Sequence, residues 1–452
     1  MSIEGTAPDA PSAKAVRRAE EAREELAAAG LGVSVRTLGT GFALRLNQRA
    51  AEHLATPEDP AAPDRARGLV SEVLAGSLPA AHADLVHRTL PARAARIRAA
   101  ARGAGCELLS PRTLPALLAP VPLDATLPGT ELWFGVLEPG AGQGPSAPFT
   151  TGPASETPAL ALFRGDLHCV YQGPGEDPAL WWTIHRADGS APPARPLPDH
   201  HTLGGPALAV FKDRLYCAHR GGSGDWGIAV TSCDGTDWTP DLPVPGAASV
   251  YGPALAVFRD TLHLAYAEAG QQIMLTTSED GHHWTAPRPV PDCRTTRSPA
   301  LAVYDDALHL LFGNPEDASV RWSRLRGAAW SLEGALPGHH TRSTIGLAVL
   351  DGRLVCVHRD RAVQRLRWSA LDGTRWTEDT EIPGLSSKYG PAPVVLRDPT
   401  GARDQLLCVY RGHARHTITE EGEVLTEEDP AGLHELDDLE ADPEPGTGVA
   451  RG

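Results

Sequence analysis

Side chains that could bind a polar ligand recur at fixed positions along this chain of 452 residues. One position, directly after an apolar segment, holds Arg or Gln in several copies, and hydroxyl, His and Tyr side chains recur in the loops nearby. Guanidinium and amide groups form paired hydrogen bonds, and aromatic rings stack on sugars, so these residue types suit carbohydrate recognition. The candidate binding residues are Gln172, Arg220, Arg359, Arg411, Thr202, Thr341, His201, His340, Tyr251 and Tyr389.

These positions also have structural explanations. A repeated hydroxyl at the start of a strand often caps its own backbone, which is the alternative for Thr202 and Thr341. The arginines vary between copies, whereas a structural requirement would fill every copy. The pairs at residues 200–201 and 339–340 lie in equivalent loops three copies apart, too far to share a metal ion. We interpret these histidines as solvated loop residues, or as ligand contacts, and predict no metal or cofactor site.

The repeat that carries these positions is about 46 residues long. The triplet Pro-Ala-Leu at residues 158–160 recurs at 206, 253 and 299, with degenerate copies at 345 and 391. Trp238, Trp284, Trp330 and Trp376 keep the same period. Each copy contains four short apolar segments, and an Asp-Gly pair between two of them is a strong hairpin signal. Four strands in a unit of this length are typical of a propeller blade.

The sequence therefore predicts an all-β propeller of about six four-stranded blades over residues 131–412. Complete blades occupy residues 158–390. A half-blade at 131–157 is expected to join a closing half-blade at 391–412, which would leave no exposed sheet edge. Seven blades result if the two half-units belong to separate blades.

The flanking segments differ from the repeat. Residues 14–116 are predicted to form a small, mostly helical α+β domain, preceded by a disordered N-terminus at residues 1–13. Several arginines concentrate between residues 88 and 102, where we predict a solvated helix face or a docking surface for an acidic partner. Residues 416–452 carry twelve Asp or Glu against one Arg and are predicted to be disordered.

The hairpins share the motif Ser-x-Asp-Gly-x-x-Trp, complete in two copies and partial in others. The motif resembles the Asp-box of sialidase-type propellers, with one residue fewer between Asp and Trp. In that family the Asp accepts hydrogen bonds from the turn and the Trp packs between strands, so the resemblance implies a structural role. The residues concerned are Asp234, Gly235, Trp238, Asp280, Gly281, Trp284, Asp372, Gly373 and Trp376.

The whole unit also resembles bacterial lectin-like propeller repeats, which implies a non-enzymatic protein that binds a glycan through several related sites on one face. A scaffold for protein partners, docked through residues 14–116, is one alternative. A sialidase-like glycoside hydrolase is another. That family has a Phe/Tyr-Arg-Ile/Leu-Pro motif, but Phe163-Arg164 and Phe258-Arg259 are followed here by turn residues. The absence of this motif argues against hydrolysis.

Composition narrows the remaining possibilities. The net charge of −16 disfavours nucleic acid as a partner. The first 19 residues contain no apolar signal segment, and no stretch approaches 18 apolar residues, so neither a Sec signal nor a membrane span is predicted. A cytoplasmic location is the default expectation, although export by another route would leave no such mark. Four cysteines at one position of the repeat are predicted to be buried core residues.

Overall fold

The computed structural model describes residues 10–427, apart from residues 57–63, 102, 124, 128–130, 139–141, 175–176, 223–225, 399–402, 413–414 and 419–423. Most of the predicted disordered N-terminus, residues 1–9, therefore lies outside the described residues. None of the described helices is long and apolar enough to cross a lipid bilayer. The described chain is mostly β-strand, and its strands form antiparallel sheets.

Helices and a four-stranded sheet form the N-terminal part. Its elements are α1 (Ala13–Ala28), β1 (Val33–Leu38), β2 (Gly41–Leu46), α2 (Gln48–Leu54), α3 (Arg65–Ala75), α4 (Ala80–Thr89), a 3-10 turn (Leu90–Arg93), α5 (Ala94–Ala100), β3 (Cys106–Pro111) and β4 (Ala119–Pro122). The strands pair in the order β1-β2-β3-β4. Helix α1 begins where the Ser12 hydroxyl accepts a hydrogen bond from the amide of Ala15, which satisfies one free amide of the first turn.

Both faces of this small sheet are buried. Successive strand residues point to opposite faces, so Leu44 packs among the helices while Ala43 packs against the repeat region. Leu108 and Leu109 divide in the same way. The sheet therefore lies between the helices and the repeats.

The repeat region contains six sheets, which we number in chain order. Three strands come before sheet 1 in the chain, and the last two of them belong to sheet 6: β5 (Ala125–Leu127), β6 (Glu131–Glu138) and β7 (Gly142–Pro153). Sheet 1 contains β8 (Ser155–Phe163), β9 (Asp166–Gln172), β10 (Ala179–His185) and β11 (Arg195–His201). Sheet 2 contains β12 (Ala207–Phe211), β13 (Arg214–Arg220), β14 (Gly227–Cys233) and β15 (Leu242–Ala248).

The other sheets follow the same plan. Sheet 3 contains β16 (Ala254–Phe258), β17 (Thr261–Ala267), β18 (Gln272–Ser278) and β19 (Arg288–Arg294). Sheet 4 contains β20 (Ala300–Tyr304), β21 (Ala307–Gly313), β22 (Ser319–Arg326) and β23 (Ala329–His340). Sheet 5 contains β24 (Gly346–Leu350), β25 (Arg353–Arg359), β26 (Arg365–Asp372) and a fourth strand divided into β27 (Arg375–Trp376) and β28 (Thr380–Ser386).

Sheet 6 combines strands from the two ends of the repeat region. Its strands β29 (Ala392–Leu396) and β30 (Gln405–Arg411) pair with β6 and β7, in the order β29-β30-β6-β7. The first strand of each sheet contacts the first strand of the next, and β29 of sheet 6 contacts β8 of sheet 1. The contacts among first strands therefore run from sheet 1 through sheet 6 and back to sheet 1.

Polar contacts join sheet 6 to the N-terminal part. The buried Gln405 side chain donates to the carbonyl oxygen of Thr40 at 2.9 Å and to Glu138 at 2.8 Å, and accepts from the amide and hydroxyl of Thr113. Arg112 pairs with Glu138 and with Asp398. These bonds satisfy buried groups on both sides, so the junction is specific as well as apolar.

The acidic C-terminal segment begins inside a small sheet, although its composition predicts disorder. Strand β31 (Arg415–Ile418) pairs with β32 (Val424–Glu427) and with β5. The sequences His-Thr-Ile and Val-Leu-Thr contain β-branched residues that favour strands, a local preference that the acidic composition hides. Residues 428–452 lie outside the described residues.

The arginines between residues 88 and 102 do not form one solvated helix face. Arg93 is 1% exposed and donates to the carbonyl oxygen of Ala116 at 2.9 Å, and burial lowers its pKa to about 9. Arg98 donates to the carbonyl oxygen of Ala55, whereas Arg88 pairs with Asp84 at the surface. Because Leu90–Arg93 is a 3-10 turn, these three arginines point in different directions. Arg93 holds the loop before β4 through its hydrogen bond to Ala116. Residue 102 lies outside the described residues.

Candidate ligand-binding site

The starts of the first strands lie close together. A Cβ atom at Gly252 would collide with the carbonyl oxygen of Gly205, and one at Gly390 would collide with that of Thr344. Only glycine permits such an approach of two backbones. Side chains two residues before the Pro-Ala-Leu position are therefore held near one another. These residues are Glu156, Gly204, Tyr251, Arg297, Ser343 and Tyr389.

Four cations surround one carboxyl group in this region. Burial raises the pKa of Glu156 to about 7, and the positive charges of Arg297, Arg220, Lys388 and Arg411 oppose the shift. We call these five residues the central cluster. Within this set of five described residues the cations outnumber the carboxyl group by four to one, an arrangement that favours binding of an anion.

Backbone carbonyls hold the arginines of the cluster. Arg220 Nη1 donates to the oxygen of Val250 at 2.6 Å, and Arg297 Nε donates to the oxygen of Arg342 at 2.7 Å. Arg411 Nε donates to the oxygen of Ala154 at 3.2 Å. Carbonyl partners orient a guanidinium without cancelling its charge, so the positive charge is fixed in place before any ligand arrives.

Two tyrosines lie beside these arginines. The Arg297 guanidinium carbon is 5.8 Å from the ring centre of Tyr251, and that of Arg411 is 5.9 Å from the ring centre of Tyr389. Both rings are partly exposed. Each pair combines an aromatic face with a planar hydrogen-bond donor, the combination expected from the sequence for Tyr251, Tyr389 and Arg411.

Glu156 has an unusual backbone conformation. Its φ of 60° is in the left-handed region, which costs a residue with a side chain about 1–3 kcal/mol. The pairing register of β8 with β9 shifts between Ser155 and Ala159, so Glu156 lies within an irregularity of the strand. This irregularity turns the half-buried Glu156 toward the cations, and strain of this kind is common at binding sites.

The predicted hydroxyl ligands bond to backbone carbonyl oxygens, Thr202 within its own loop and Thr341 at the end of strand β25. Thr202 Oγ1 donates to the oxygen of Gly204 at 2.9 Å, and Thr341 Oγ1 donates to the oxygen of Arg359 at 2.8 Å. Ser249 and Ser387 occupy the equivalent position and bond in the same manner. Thr202 and Thr341 are at most 1% exposed, so in this structure their hydroxyls stabilise loops and do not face a ligand.

The remaining candidates are divided between interior and surface. Gln172 is 4% exposed, and its Oε1 has no hydrogen-bond partner among the described residues. Arg359 is likewise buried, and its carbonyl oxygen holds the hydroxyl of Thr341. His201 and His340 are exposed.

The preceding histidines of the two pairs are not solvated, contrary to the sequence analysis. His200 is 5% exposed and His339 is fully buried. In a strand the side chains of successive residues point to opposite faces, so one histidine of each pair faces solvent and the other faces the next sheet.

The hairpin motif residues contact their own turns and the preceding sheet. Asp234 Oδ1 accepts from the amides of Thr236 and Asp237, and Asp280 Oδ1 accepts from those of His282 and His283. These bonds lower the pKa of Asp234. The tryptophans lie between sheets, as where the ring of Trp238 meets that of Trp182 edge to face at 5.6 Å. Glycines 235, 281 and 373 have positive φ, as their turns require.

Sequence reasoning missed Glu156, Arg297 and Lys388. The position of Glu156 and Arg297 was accessible, because Tyr251 and Tyr389 occupy it in other copies of the repeat. This position of the repeat holds a different type of side chain in most copies. Such variation within a regular repeat was the sequence signal that could have identified Glu156 and Arg297 as candidate site residues. The approach of cations from sheets 2, 4 and 6 to one carboxyl group of sheet 1 was not accessible without the structure.

No protein-family model matches this chain, and no curated protein matches it. A protein of unknown function from Dyadobacter fermentans is 14% identical, with a TM-score of 0.43 over 57% of this chain and 95% of the other. Trypanosoma rangeli sialidase is 12% identical, with a TM-score of 0.41 over 59% of this chain and 56% of the sialidase. AofleA from Arthrobotrys oligospora is 10% identical, with a TM-score of 0.43 over 60% and 86%. All three TM-scores lie below 0.5, so function must be argued from the site.

Proposed function

We propose that this protein is a non-enzymatic carbohydrate-binding protein whose ligand is an acidic saccharide held at the central cluster. The observation that carries the proposal is the convergence of Arg220, Arg297, Lys388 and Arg411 on Glu156. A saccharide carboxylate matches the paired donors of a guanidinium. The glycan partner expected from the sequence is thereby narrowed to saccharides that carry a negative charge.

The aromatic rings favour a sugar over a simple inorganic anion. Tyr251 and Tyr389 each lie beside an arginine of the cluster and are partly exposed. A sugar ring presents apolar C–H groups next to its polar substituents, so it can contact an aromatic face and a guanidinium at once. A bare phosphate or sulfate ion would use only the cations.

We further propose that the six sheets are six blades of one propeller, formed by residues 131–412, with residues 14–116 as a separate folding unit. The cyclic contacts of the first strands support this arrangement. One central site accounts for the contacts better than several related sites, because the hydroxyls of Thr202 and Thr341 are already bonded to backbone carbonyl oxygens.

Hydrolysis of the saccharide is the less favoured alternative. Most glycoside hydrolases use a pair of carboxyl groups on either side of the scissile bond, whereas sialidases use a tyrosine nucleophile paired with a glutamate and a second carboxyl group as acid and base. The central cluster, as the described residues define it, contains one carboxyl group, Glu156. Binding therefore explains the arrangement with fewer requirements than catalysis.

A calorimetric titration of the full chain tests the proposal. The probes are glucuronic acid and N-acetylneuraminic acid, with glucose and N-acetylmannosamine as neutral counterparts. We expect the acidic sugars to bind at least tenfold more tightly than the neutral ones. The Arg297→Ala variant should lose at least tenfold in affinity, because the ligand carboxylate loses a charged partner.

Arg259→Ala is the matched control. Arg259 lies at the turn between β16 and β17, away from the strand starts, and pairs with Asp306 at the surface. Its removal deletes the same charge from the chain and should leave the affinity unchanged. Equal affinity for acidic and neutral sugars, or an Arg297→Ala variant that binds like the parent, would contradict the proposal.

A further inference from the structure

Three positions of the repeat change together between sheets. One lies in the last strand of a sheet, the second lies in the second strand of the next sheet, and the third lies just before that sheet's last strand. Two junctions carry His, His and Asp at these positions. Between sheets 1 and 2 the residues are His200, His219 and Asp241, which we call cluster A. Between sheets 4 and 5 they are His339, His358 and Asp379, which we call cluster B.

The other junctions carry none of the three residue types at these positions. The second position holds an aromatic residue instead, as Tyr171, Tyr266, Phe312 or Tyr410. The third position holds Ala194, Pro287 or Glu333. Thus an aromatic residue suffices to fill the junction, and His, His and Asp occur as a complete set or not at all. This joint substitution indicates one purpose for the three side chains.

In cluster B the three polar groups face one another in the interior. His358 Nε2 is 3.1 Å from Asp379 Oδ1, and His339 Nε2 is 3.8 Å from the same oxygen. The three atoms lie within 4.8 Å of one another, and both histidines are fully buried. A tetrahedral zinc ion with ligands at about 2.0–2.1 Å separates them by about 3.3 Å, so the His358–Asp379 distance already fits and His339 would have to move closer to the other two.

The other ring nitrogen of each histidine is held by the backbone. His339 Nδ1 faces the oxygen of Pro337 at 2.8 Å, and His358 Nδ1 faces the oxygen of Arg359 at 3.3 Å. A carbonyl oxygen requires a proton on Nδ1, which leaves the lone pair of each neutral ring on Nε2. The Nε2 of His358 faces the carboxylate, and that of His339 accepts from the Ser369 hydroxyl at 2.7 Å with the carboxylate beyond it. Metal-binding histidines are commonly oriented by such a bond from the other nitrogen.

Cluster A has the same residue types in a wider arrangement, with its two imidazole ring centres 6.4 Å apart against 5.5 Å in cluster B. His200 Nδ1 faces the oxygen of Pro198 at 2.5 Å, and His219 Nδ1 faces that of His201 at 3.1 Å. His219 Nε2 is 3.0 Å from Asp241 Oδ1, and His200 Nε2 is 3.5 Å from it. The same pattern of backbone bonds at two junctions makes a chance arrangement a poor explanation.

Cluster A also has a shortage of positive charge at its centre. His200 Nε2 lies 3.0 Å from the oxygen of Thr239, in addition to its approach to Asp241. Both ring nitrogens of His200 therefore face oxygen acceptors, which a neutral ring cannot satisfy because it carries one proton. A cation bound at this point would give both oxygens a positively charged partner.

Cluster A is reached from solvent. A cavity of about 430 Å³ between sheets 1 and 2 is lined by His200 and Asp241, together with Pro198 and Trp238. An ion could enter through it without displacement of the core. Cluster B has a charged neighbour, Arg367. Its Nε donates to Asp379 Oδ2 at 2.7 Å, so that Oδ1 is the carboxylate oxygen that faces the histidines.

We propose that clusters A and B are two binding sites for a divalent transition-metal ion, with zinc as the ion that their ligands suit best. Two imidazole nitrogens and one carboxylate oxygen are the ligands typical of zinc, with a fourth position for water or a hydroxyl group. The metal would join neighbouring sheets where other junctions use an aromatic residue.

Zinc titration of the chelator-treated full chain tests this proposal. We expect two equivalents bound per chain, reversal by a chelator, and a melting temperature several degrees higher with zinc, since a ligand specific for the folded state stabilises it. Each single variant, His219→Phe or His358→Phe, should retain one equivalent, and the double variant should retain none. Phenylalanine occupies the same position in sheet 4, so these variants suit the repeat.

Two further measurements separate the proposal from weaker explanations. His282→Ala removes an exposed hairpin histidine and should leave two equivalents, which controls for zinc on the surface. Zinc that survives the double variant would overturn the proposal. A parent chain that binds no zinc would also overturn the proposal. If the double variant then altered the stability of the chain between pH 6 and 8, the clusters would bind only protons.

Discussion

Burial raises the pKa of Glu156 to about 7, and Arg297, three repeats away in the chain, opposes this shift more than the other cations of the central cluster do. Near neutral pH the Glu156 carboxyl group is thus divided between its two forms. The net charge of the cluster changes by one unit over the same range. Both ligand binding and stability should respond to this change.

Binding of an acidic saccharide should strengthen as the pH falls from 8 to 6. Protonation of Glu156 removes a negative charge that repels the ligand carboxylate, which stays ionised over this range. We expect an increase in affinity of about five- to tenfold, given the energy of like charges near a protein surface. Titration of glucuronic acid at several pH values measures it.

The Glu156→Gln variant should bind the same sugar with little dependence on pH. Glu279→Gln is its control, because Glu279 is exposed on a hairpin between strands 3 and 4 of sheet 3. A pH dependence that survives in Glu156→Gln would assign the effect to another group.

Stability should also depend on Glu156. Its pKa is about 7 in the folded chain and about 4.3 in an unfolded one, so the fold favours the protonated form. The resulting stabilisation is complete below about pH 4 and is lost as the pH rises through 7. Glutamine does not ionise, so Glu156→Gln should increase the free energy of unfolding at pH 8 by about 3–4 kcal/mol relative to the parent. Denaturant titrations at pH 8 and pH 5 should show this difference shrinking at the lower pH.

Replacement of Gln405 by alanine should loosen the N-terminal part from sheet 6. The variant leaves the amide of Thr113 without its partner and removes one of the two hydrogen bonds to the oxygen of Thr40, which costs about 1–3 kcal/mol. Calorimetry should then separate the unfolding of the two parts. Gln48→Ala, on helix α2, is the control and should have almost no effect. A single unchanged transition in Gln405→Ala would show that apolar packing alone couples the parts.

Two glycine variants should have effects of opposite sign. Gly252→Ala places a methyl group against the oxygen of Gly205, and such overpacking costs about 1–3 kcal/mol. Gly68 lies in helix α3 with open space around its Cα, so Gly68→Ala should stabilise by up to about 1 kcal/mol. Thermal unfolding of both variants gives the comparison, and a neutral Gly252→Ala would mean that the strand starts can move apart.

Strand boundaries and turns could be predicted from the sequence because the repeat samples them several times. The period of Trp238, Trp284, Trp330 and Trp376 locates each hairpin, and alternating apolar residues define the strands between them. Buried cysteines were predictable in the same way, since Cys169 and its equivalents occupy one apolar position. Averaging over copies is what gives this part of the prediction its strength.

The site could not be predicted as well, because it depends on departures from the repeat. Glu156 and Arg297 each occur once at their shared position, so no pattern singles them out. Clusters A and B bring together residues 20 to 40 positions apart on two sheets, a distance that no local motif spans. The paired histidines at 200–201 drew attention to adjacent residues, whereas the partner of His200 is in the next sheet.

Sheet 6 combines strands from the two ends of the repeat region, and this determines when the central cluster can be completed during synthesis of the chain. Strands β6 and β7 are made early, but their partners β29 and β30 include residues as late as Arg411. Lys388 and Arg411 of the central cluster belong to the same late portion of the chain. A nascent chain on the ribosome therefore has neither the finished sheet nor the complete cluster until translation has passed this point. Products of premature termination should expose an unpaired strand edge and be cleared by proteolysis, so that only completed chains bind a ligand.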